Sequence, residues 1–204
     1  IRGNEVGISS AGSESELSTV VALQKLGLSR NDIKFQEIGV ERLSHLKNGV
    51  VKATMLGEPL RSVALAEGLK PICDLLADRM PWLYSGLVVD KTYLGENRDA
   101  VLNFMRATIE GNFLAIKERD WAKKVMANAL NITNAENLDI TYNNFKAYTP
   151  LYAEPTVEGG KNIMATVQAE NKSENIDDYI DQTIQMELSE EGFFETMKAK
   201  YKLE

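Results

Sequence analysis

A run of small polar residues before an acidic helix start is the first stretch of this sequence that could bind a ligand. Residues 9–13 read Ser-Ser-Ala-Gly-Ser, and the helical pattern that follows begins with an acidic residue. Small side chains let a ligand approach the free N–H groups at the start of a helix. The candidate ligand-binding residues of this turn are Ser9, Ser10, Gly12, Ser13 and Glu14.

The same stretch also has a purely structural interpretation. Ser13 and Glu16 have the spacing of a capping box, in which a serine hydroxyl and a glutamate side chain satisfy N–H groups at the helix end. This interpretation accounts for these two residues but not for the small residues 9–12. The carboxylates of Glu14 and Glu16 already occupy the positive field of the helix start and would repel a phosphate. The sequence therefore favours a neutral, zwitterionic or amine-bearing ligand.

The second candidate stretch, at residues 55–59, reads Met-Leu-Gly-Glu-Pro. It follows a short apolar segment and precedes a helical pattern, with the proline near the first helical position. Glu58 is therefore either an acid at a helix N-terminus or a hydrogen-bond acceptor that points into the same crevice as Ser10. The predicted ligand contacts of this turn are Met55, Gly57 and Glu58.

One aromatic residue completes the candidate set, and no residue is predicted to be catalytic. Trp82 and Tyr84 either line a cleft or pack as ordinary core residues, and Tyr84 is included among the candidates. The single histidine, His45, and the single cysteine, Cys73, lie in different predicted elements, without the partners that nucleophilic catalysis needs. They also cannot form a cluster of soft ligands for zinc. We therefore predict no metal and no cofactor.

The elements that must position these residues alternate between strands and helices over the first part of the chain. Period-2 and short apolar segments predict strands, and apolar residues at helical spacing, followed by glycine stops, predict helices. Strands separated in this way form a mainly parallel sheet, whose carboxyl edge holds both candidate turns. The predicted strands are 5–9, 33–38, 53–56 and 70–74, and the predicted helices are 14–26, 40–47 and 60–66.

The pattern changes near residue 84. One more apolar segment, 85–89, predicts a strand, and the rest of the chain reads as helical. We therefore divide the chain into an α/β ligand-binding lobe, 1–83, and a second part, 84–204, with a return strand and helices that belong to the other lobe. The predicted helices of this part are 98–118, 121–130, 134–147, 157–169, 176–186 and 190–201.

Composition and charge exclude several classes of partner. The 204 residues carry a formal net charge of −7, with no local run of lysine or arginine, so nucleic acid and anionic membrane surfaces are poor partners. No stretch approaches the roughly 20 apolar residues that span a bilayer, so we predict no direct membrane insertion in this segment. The 44% hydrophobic content is enough for a packed core.

Five short motifs, in this order and spacing, resemble a known family. They are RGNEVGISSAGS, ALQKLGLSRNDI, LKNGVVKATMLGEP, AEGLKPICDL and SGLVVDKTYLGENRDAVLNFMRATIEG. Together they look like the second lobe, return strand and first packing helix of the solute-binding proteins of nitrate, sulfonate, taurine and thiamine-precursor importers. The resemblance covers most of the chain and is strongest over residues 1–118.

The resemblance implies a periplasmic-binding-protein-like α/β lobe with a parallel-rich sheet, in a two-lobed Venus-flytrap receptor that holds its ligand between the lobes. It also implies that the opening part of the first lobe, which normally precedes this sequence, is absent here. The turns at residues 9–13 and 57–59 match the family's ligand contacts. The implied partners are a small polar organic ligand of the sulfonate or taurine type and an ABC permease, in the periplasm or another extracytoplasmic location, with or without a lipid anchor.

Two other functions remain open at this stage. The same fold occurs as the ligand-sensing module of signalling proteins, in which closure is transmitted and no solute is transported. It also resembles that of the thiamine-pyrimidine synthase, whose chemistry depends on a histidine and cysteine cluster. One histidine and one cysteine in separate elements argue against that enzyme.

Overall fold

The computed structural model describes residues 1–167, 169 and 172–203. The chain divides into two compact units. The first is formed by Ile1–Tyr84 together with Glu158–Glu174, and the second by Ser85–Val157 together with Asn175–Glu204. The division that we drew from the sequence placed all of 84–204 in one part, whereas the structure groups Glu158–Glu174 with the sheet-bearing unit.

A three-stranded parallel sheet organises the first unit. The strands are β1 (Glu5–Ile8), β2 (Lys34–Glu37) and β3 (Ala53–Thr54), arranged in the order β2-β1-β3. Val6 of β1 lies opposite Phe35 and Ala53, so the central strand is paired on both sides. Three of the predicted strands are thus confirmed, and their carboxyl ends lie at one edge of the sheet, as parallel pairing requires.

Helices connect the strands and make up most of the second unit. Helix α3 has the predicted bounds, and the bounds of α1, α2, α5, α6 and α7 differ from the predicted ones by one or two residues. Residue 168, in the predicted helix 157–169, lies outside the described residues. The helices are α1 (Glu14–Lys25), α2 (Arg42–Lys47), α3 (Leu60–Ala66), α4 (Lys91–Glu96), α5 (Arg98–Lys117), α6 (Arg119–Leu130), α7 (Ala135–Tyr148), α8 (Val157–Thr166), α9 (Thr183–Glu190) and α10 (Phe193–Tyr201), with 3-10 turns at Arg30–Asp32 and Ile176–Asp178.

Two predicted strands are wrong. Residues 70–74 are irregular, and Asp74 accepts a hydrogen bond from the Ala77 N–H at 3.1 Å to form a turn. Residues 85–89 also form no strand, and Val88 is 91% exposed. An apolar segment becomes a strand only where a neighbour completes its hydrogen-bond ladder, and the described part of the chain offers none. Cys73, which lies in the predicted strand 70–74, is half-buried in this irregular segment.

Each unit has its own apolar core. In the first unit, Val6, Leu23 and Ile33 bring β1, α1 and the start of β2 together. In the second unit, α5 supplies the centre, where Ile109 and Phe113 are fully buried. Helices α9 and α10 pack on this centre, so the second unit is a helical cluster among the residues that the structure describes.

A close approach at the middle of β1 favours glycine. A Cβ atom on Gly7 would collide with the Ile38 side chain and lie 3.3 Å from Val51 Cγ2. Gly7 therefore lets the segments that carry Ile38 and Val51 close over the central strand, next to the sheet edge that carries the candidate turns.

Candidate ligand-binding site

A cluster of three serine hydroxyls shapes the turn after β1. The Ser9 N–H donates to Ser15 Oγ at 2.8 Å, and Ser15 Oγ lies 3.0 Å from Ser9 Oγ and 2.9 Å from Ser13 Oγ. Ser15 is only 2% exposed, so the cluster closes on its inner side and opens towards solvent at Ser10, which is exposed. Sequence reasoning missed Ser15 because a serine within the first helical turn reads as an ordinary helix-start residue.

The capping interpretation is correct for Ser13 and Glu16. Ser13 is the N-cap of α1, and its hydroxyl accepts from the Glu16 N–H at 3.4 Å. The Glu16 carboxylate accepts from the Gly12 N–H at 2.6 Å, and Gly12 has φ +74°, which favours glycine. The N–H groups of Ala11 and Glu14 donate to no group in the described ranges. Capping therefore leaves two backbone donors of the turn open.

Glu16 is held in place as a structural carboxylate. It is 6% exposed and forms an ion pair with Arg30. Burial raises its pKa, but the hydrogen bonds from Arg30 and Gly12 outweigh burial and leave the pKa below its ordinary value. Arg30 also lies over the Phe35 ring at 5.0 Å from the centroid. This carboxylate is occupied by its protein partners, so it is not a ligand contact.

Arg42, the first residue of α2, joins the carboxyl ends of all three strands. Its Nε donates to the Met55 carbonyl after β3 at 3.1 Å, and its Nη1 donates to Ser9 Oγ after β1 and to the Gly39 carbonyl after β2, the latter at 3.4 Å. Nη2 donates to nothing within residues 1–167, 169 and 172–203. The site therefore contains the half-buried cationic side chain of Arg42, and the Nη2 edge of its guanidinium group is free to donate hydrogen bonds.

Sequence reasoning missed Arg42 because its role depends on three strand ends that are far apart in the chain. The position of Arg42 in the sequence could have indicated this role, because an arginine at the start of a helix that follows a parallel strand lies at the ligand-binding edge of the sheet. By itself, the pattern of residues 40–47 indicates only a helix with an apolar face.

The carboxylate of Glu14 interacts electrostatically with the Arg42 guanidinium. Burial raises the pKa of the Glu14 carboxyl above its ordinary value, against the lowering effect of the Ser18 hydroxyl and the Arg42 guanidinium. Both Glu14 and Arg42 are described residues, and no ion pair joins them. The two opposite charges therefore influence each other without neutralising each other by direct contact.

The turn after β3 is built mainly for support. Glu58 Oε1 accepts from Arg61 Nη1 at 3.1 Å, and Glu58 Oε2 accepts from the Ser62 N–H at 3.1 Å and from the Ser62 hydroxyl at 2.7 Å. Both carboxylate oxygens are thus engaged by the first turn of α3, which is the helix-start interpretation of Glu58. In the described part of the chain, no hydrogen bond joins Glu58 to Ser10.

Tyr84 lies beside the same turn although it is distant in sequence. Its hydroxyl is 3.8 Å from the position that a Cβ atom on Gly57 would take, and its side chain is 72% exposed. The indole N–H of Trp82 is buried and has no partner among the described residues. The structure therefore brings Met55, Gly57 and Tyr84 to the edge where Arg42 and the serine turn lie.

A separate hollow of about 440 Å³ lies between α2 and α3. None of the predicted site residues lines it, so it is not the site described above. Its lining residues are Glu41, Leu43, Ser44, Lys47, Asn48, Leu60, Val63 and Glu67.

The described residues contain no group of three or more histidine, cysteine, aspartate or glutamate side chains arranged to hold a metal ion. None of the helices in the same residues combines the length and apolar character needed to cross a bilayer.

Comparison with known proteins places this geometry in a family. The NMT1/THI5-like family profile matches residues 1–122. The solved structure of the periplasmic aliphatic sulphonate binding protein SsuA from Escherichia coli is similar in fold, with a TM-score of 0.56 and 16% sequence identity. The match covers 94% of this chain and 58% of the SsuA chain, so this chain spans less than two thirds of that protein. No curated protein sequence matches significantly.

Proposed function

The chain belongs to the NMT1/THI5-like family, and on that premise we propose that it is an extracytoplasmic solute-binding protein that captures a small polar organic ligand for an ABC importer. The proposed ligand class is a sulfonate, taurine or a related compound. The permease is the proposed partner, and the periplasm or an equivalent extracytoplasmic space, with or without a lipid anchor, is the proposed location.

One observation carries the proposal. Arg42 donates hydrogen bonds to residues that follow each of the three parallel strands, and its Nη2 has no hydrogen-bond acceptor among the described residues. Open α/β sheets bind their ligands outside the carboxyl ends of the strands. A planar guanidinium with a free edge binds sulfonate or carboxylate oxygens by charge-assisted hydrogen bonds. The serine turn, with its open backbone donors and the exposed Ser10, borders the same edge.

The proposed contacts follow from this arrangement. Ser9, Ser10, Gly12, Ser13 and Glu14 form one wall of the site, and Met55, Gly57 and Tyr84 form another, with Arg42 between the strand ends. Glu58 acts as a support for the second wall, because the first turn of α3 engages both of its oxygens. Binding energy from these contacts would shift an open-closed equilibrium that the permease senses.

The proposal assigns no enzymatic activity. Nδ1 of His45 lies 2.9 Å from the Glu41 carbonyl of the preceding helical turn, which is a local structural contact. Burial raises the pKa of the Cys73 thiol, so this cysteine is a poor nucleophile. The alternative role as a ligand-sensing module uses the same site and is distinguished by the partner, which is a permease for transport and a signalling domain for sensing.

Direct binding tests the proposal. The 204-residue chain is titrated by saturation-transfer NMR with alkanesulfonates, amino-sulfonates, dicarboxylates, pyrimidines and aromatic acids, since this method detects millimolar affinities. We expect at least one sulfonate-type compound to bind wild type and the Arg2→Gln control, whose arginine precedes β1. The same compound should bind Arg42→Gln with an affinity at least about tenfold lower. Binding of none of these compounds, or equal binding to the two variants, would refute the proposed site.

A further inference from the structure

Resting on the proposed function, we infer that the hollow between α2 and α3 is the surface on which the ABC permease docks. The hollow has a volume of about 440 Å³, and all of its lining residues belong to the first unit. The permease segment that fits it carries an apolar side chain together with a lysine or arginine. The inference goes beyond ligand capture, because it assigns the permease contact to a surface that none of the proposed ligand contacts lines.

Both helices that wall the hollow begin at the candidate ligand-binding site. Helix α2 begins with Arg42, and the next residue, Leu43, lines the hollow. Helix α3 begins with Leu60, another lining residue, directly after the turn that contains Glu58. One end of the hollow therefore lies at the carboxyl edge of the sheet, where the ligand is proposed to bind.

One polar contact joins the two walls at each end of the hollow. Beside the ligand site, Arg42 Nε donates to the carbonyl of Met55, on the segment that leads into α3, at 3.1 Å. At the far end, Lys47 Nζ lies 2.9 Å from the carboxylate of Glu67, which is the C-cap of α3. A ligand that binds Arg42 changes the charge and orientation of the group that makes the near contact. The spacing of the walls therefore depends on ligand occupancy, and a partner docked between them can sense it.

The hollow combines an apolar lining with an excess of negative charge. Its apolar lining residues are Leu43, Leu60 and Val63. Lys47 and Glu67 balance each other in their ion pair. Glu41 is exposed, and its carboxylate has no ion pair or hydrogen bond within the described ranges. A cation on the partner can therefore pair with Glu41 while an apolar side chain covers the lining.

Charge and position favour the permease over other occupants of the hollow. The chain has a formal net charge of −7, so an anionic lipid surface or a second copy of the chain is electrostatically disfavoured. The proposed permease must also respond to the difference between the ligand-bound and ligand-free protein. A hollow whose walls begin at the ligand site provides that response by direct contact.

Two leucines of α3 with nearly equal exposure provide a matched test. Leu60 lines the hollow and is 36% exposed, whereas Leu65 is 38% exposed and lies outside the lining. Biolayer interferometry measures binding of the 204-residue chain to its cognate ABC permease in lipid nanodiscs. We expect Leu60→Glu to weaken docking at least about tenfold and Leu65→Glu to change it by less than about twofold. A compound of the sulfonate series that binds the chain should strengthen docking of wild type at least about fivefold.

A charge reversal tests the cation that we assign to the permease. Glu41→Lys should weaken docking at least about tenfold, whereas Glu5→Lys, at the amino end of β1, should change it by less than about twofold. Thermal unfolding and saturation-transfer NMR with the same sulfonate series establish that each variant keeps its fold and its ligand site.

The outcomes separate this inference from the proposed ligand capture. Equal docking by Leu60→Glu and Leu65→Glu, or tighter docking by Glu41→Lys, would overturn the inference while ligand capture still stands. A dimer of the chain that Leu60→Glu dissociates in analytical ultracentrifugation would assign the hollow to a second copy and would also overturn it. If wild type binds neither the permease nor any sulfonate, the proposed function fails as well.

Discussion

Replacement of Arg42 by methionine should lower both the stability of the first unit and its affinity for the ligand. Methionine keeps much of the aliphatic stem but removes the donors that hold the Met55 and Gly39 carbonyls and Ser9 Oγ. Hydrogen bonds from a charged group contribute about 1.5–3 kcal/mol each when buried. Because this edge is half-buried and water can replace part of the bonding, we expect a loss of about 2 kcal/mol in the free energy of unfolding of the first unit.

Urea unfolding followed by tryptophan fluorescence measures this loss. The two tryptophans lie in different units, Trp82 in the first and Trp121 in the second. Trp121 is 49% exposed, so Trp121→Phe is a mild change that leaves Trp82 as the reporter of the first unit. With a urea dependence of about 1–3 kcal/mol per molar, the unfolding midpoint should fall by about 1 M.

A graded series strengthens the test. Arg42→Lys keeps the charge but reaches only one of the three acceptors, so it should lose about half as much stability as Arg42→Met. Arg2→Met is the matched control, because Arg2 is exposed and pairs with Asp32 near the amino edge of the sheet. If Arg42→Met unfolds at the wild-type midpoint and binds ligand with wild-type affinity, then Arg42 neither ties the strand ends nor contacts the ligand, and the reasoning fails.

Three further predictions test other parts of the first unit. The pKa of Glu16 is lowered in the folded protein, so its contribution to stability is complete above the ordinary pKa of 4.5 and is lost as the pH falls through the lower folded pKa. Tm measured from pH 6 to pH 3 should therefore fall less steeply for Glu16→Gln than for wild type. Gly7→Ala should cost about 1–3 kcal/mol in urea unfolding because of its collision with Ile38, whereas Gly111→Ala in α5, where a Cβ meets open space, should stabilise by about 0.5–1 kcal/mol; equal effects would contradict the close-approach argument. Glu58→Gln should lower stability by about 1 kcal/mol through the first turn of α3 and leave ligand affinity unchanged, and a selective loss of affinity would return Glu58 to the ligand contacts.

Local patterns were enough to predict the sheet and its first helices. Alternating residues marked β2, a glycine stop marked the end of α1, and the proline-opened pattern gave α3 with its observed bounds. The capping role of Ser13 was also predictable, because an N-cap depends only on residues in the same turn. The sequence signals for these features share one property, which is that each signal lies within a few neighbouring residues.

Features with distant partners were not predictable. The apolar segments 70–74 and 85–89 have strand-like composition, but no neighbouring strand pairs with either in the described part of the chain. Arg42 reads as a helix surface residue until three strand ends converge on it. The engagement of Glu58 by Ser62 was an open alternative in the sequence, and only the side-chain geometry decided it.

Two errors came from local signals that were passed over. Asp90 caps α4 by accepting from the N–H groups of Thr92 at 2.8 Å and Tyr93 at 3.1 Å, and an aspartate before a helical pattern predicts such a start. The predicted helix 176–186 is instead a 3-10 turn followed by α9, which begins where Asp181 accepts from the Thr183 N–H at 2.8 Å.

The first unit is assembled from two segments of chain, Ile1–Tyr84 and Glu158–Glu174. During translation its parallel strands leave the ribosome before residues 85–157, so the unit is complete only after this whole intervening segment has been synthesised. Asn162 then donates to the Pro81 carbonyl at 2.9 Å and ties the late segment to the early one. A premature stop after Tyr84 would therefore release a sheet without its last helix, and exposed apolar surface of that kind is a substrate for chaperones and proteases.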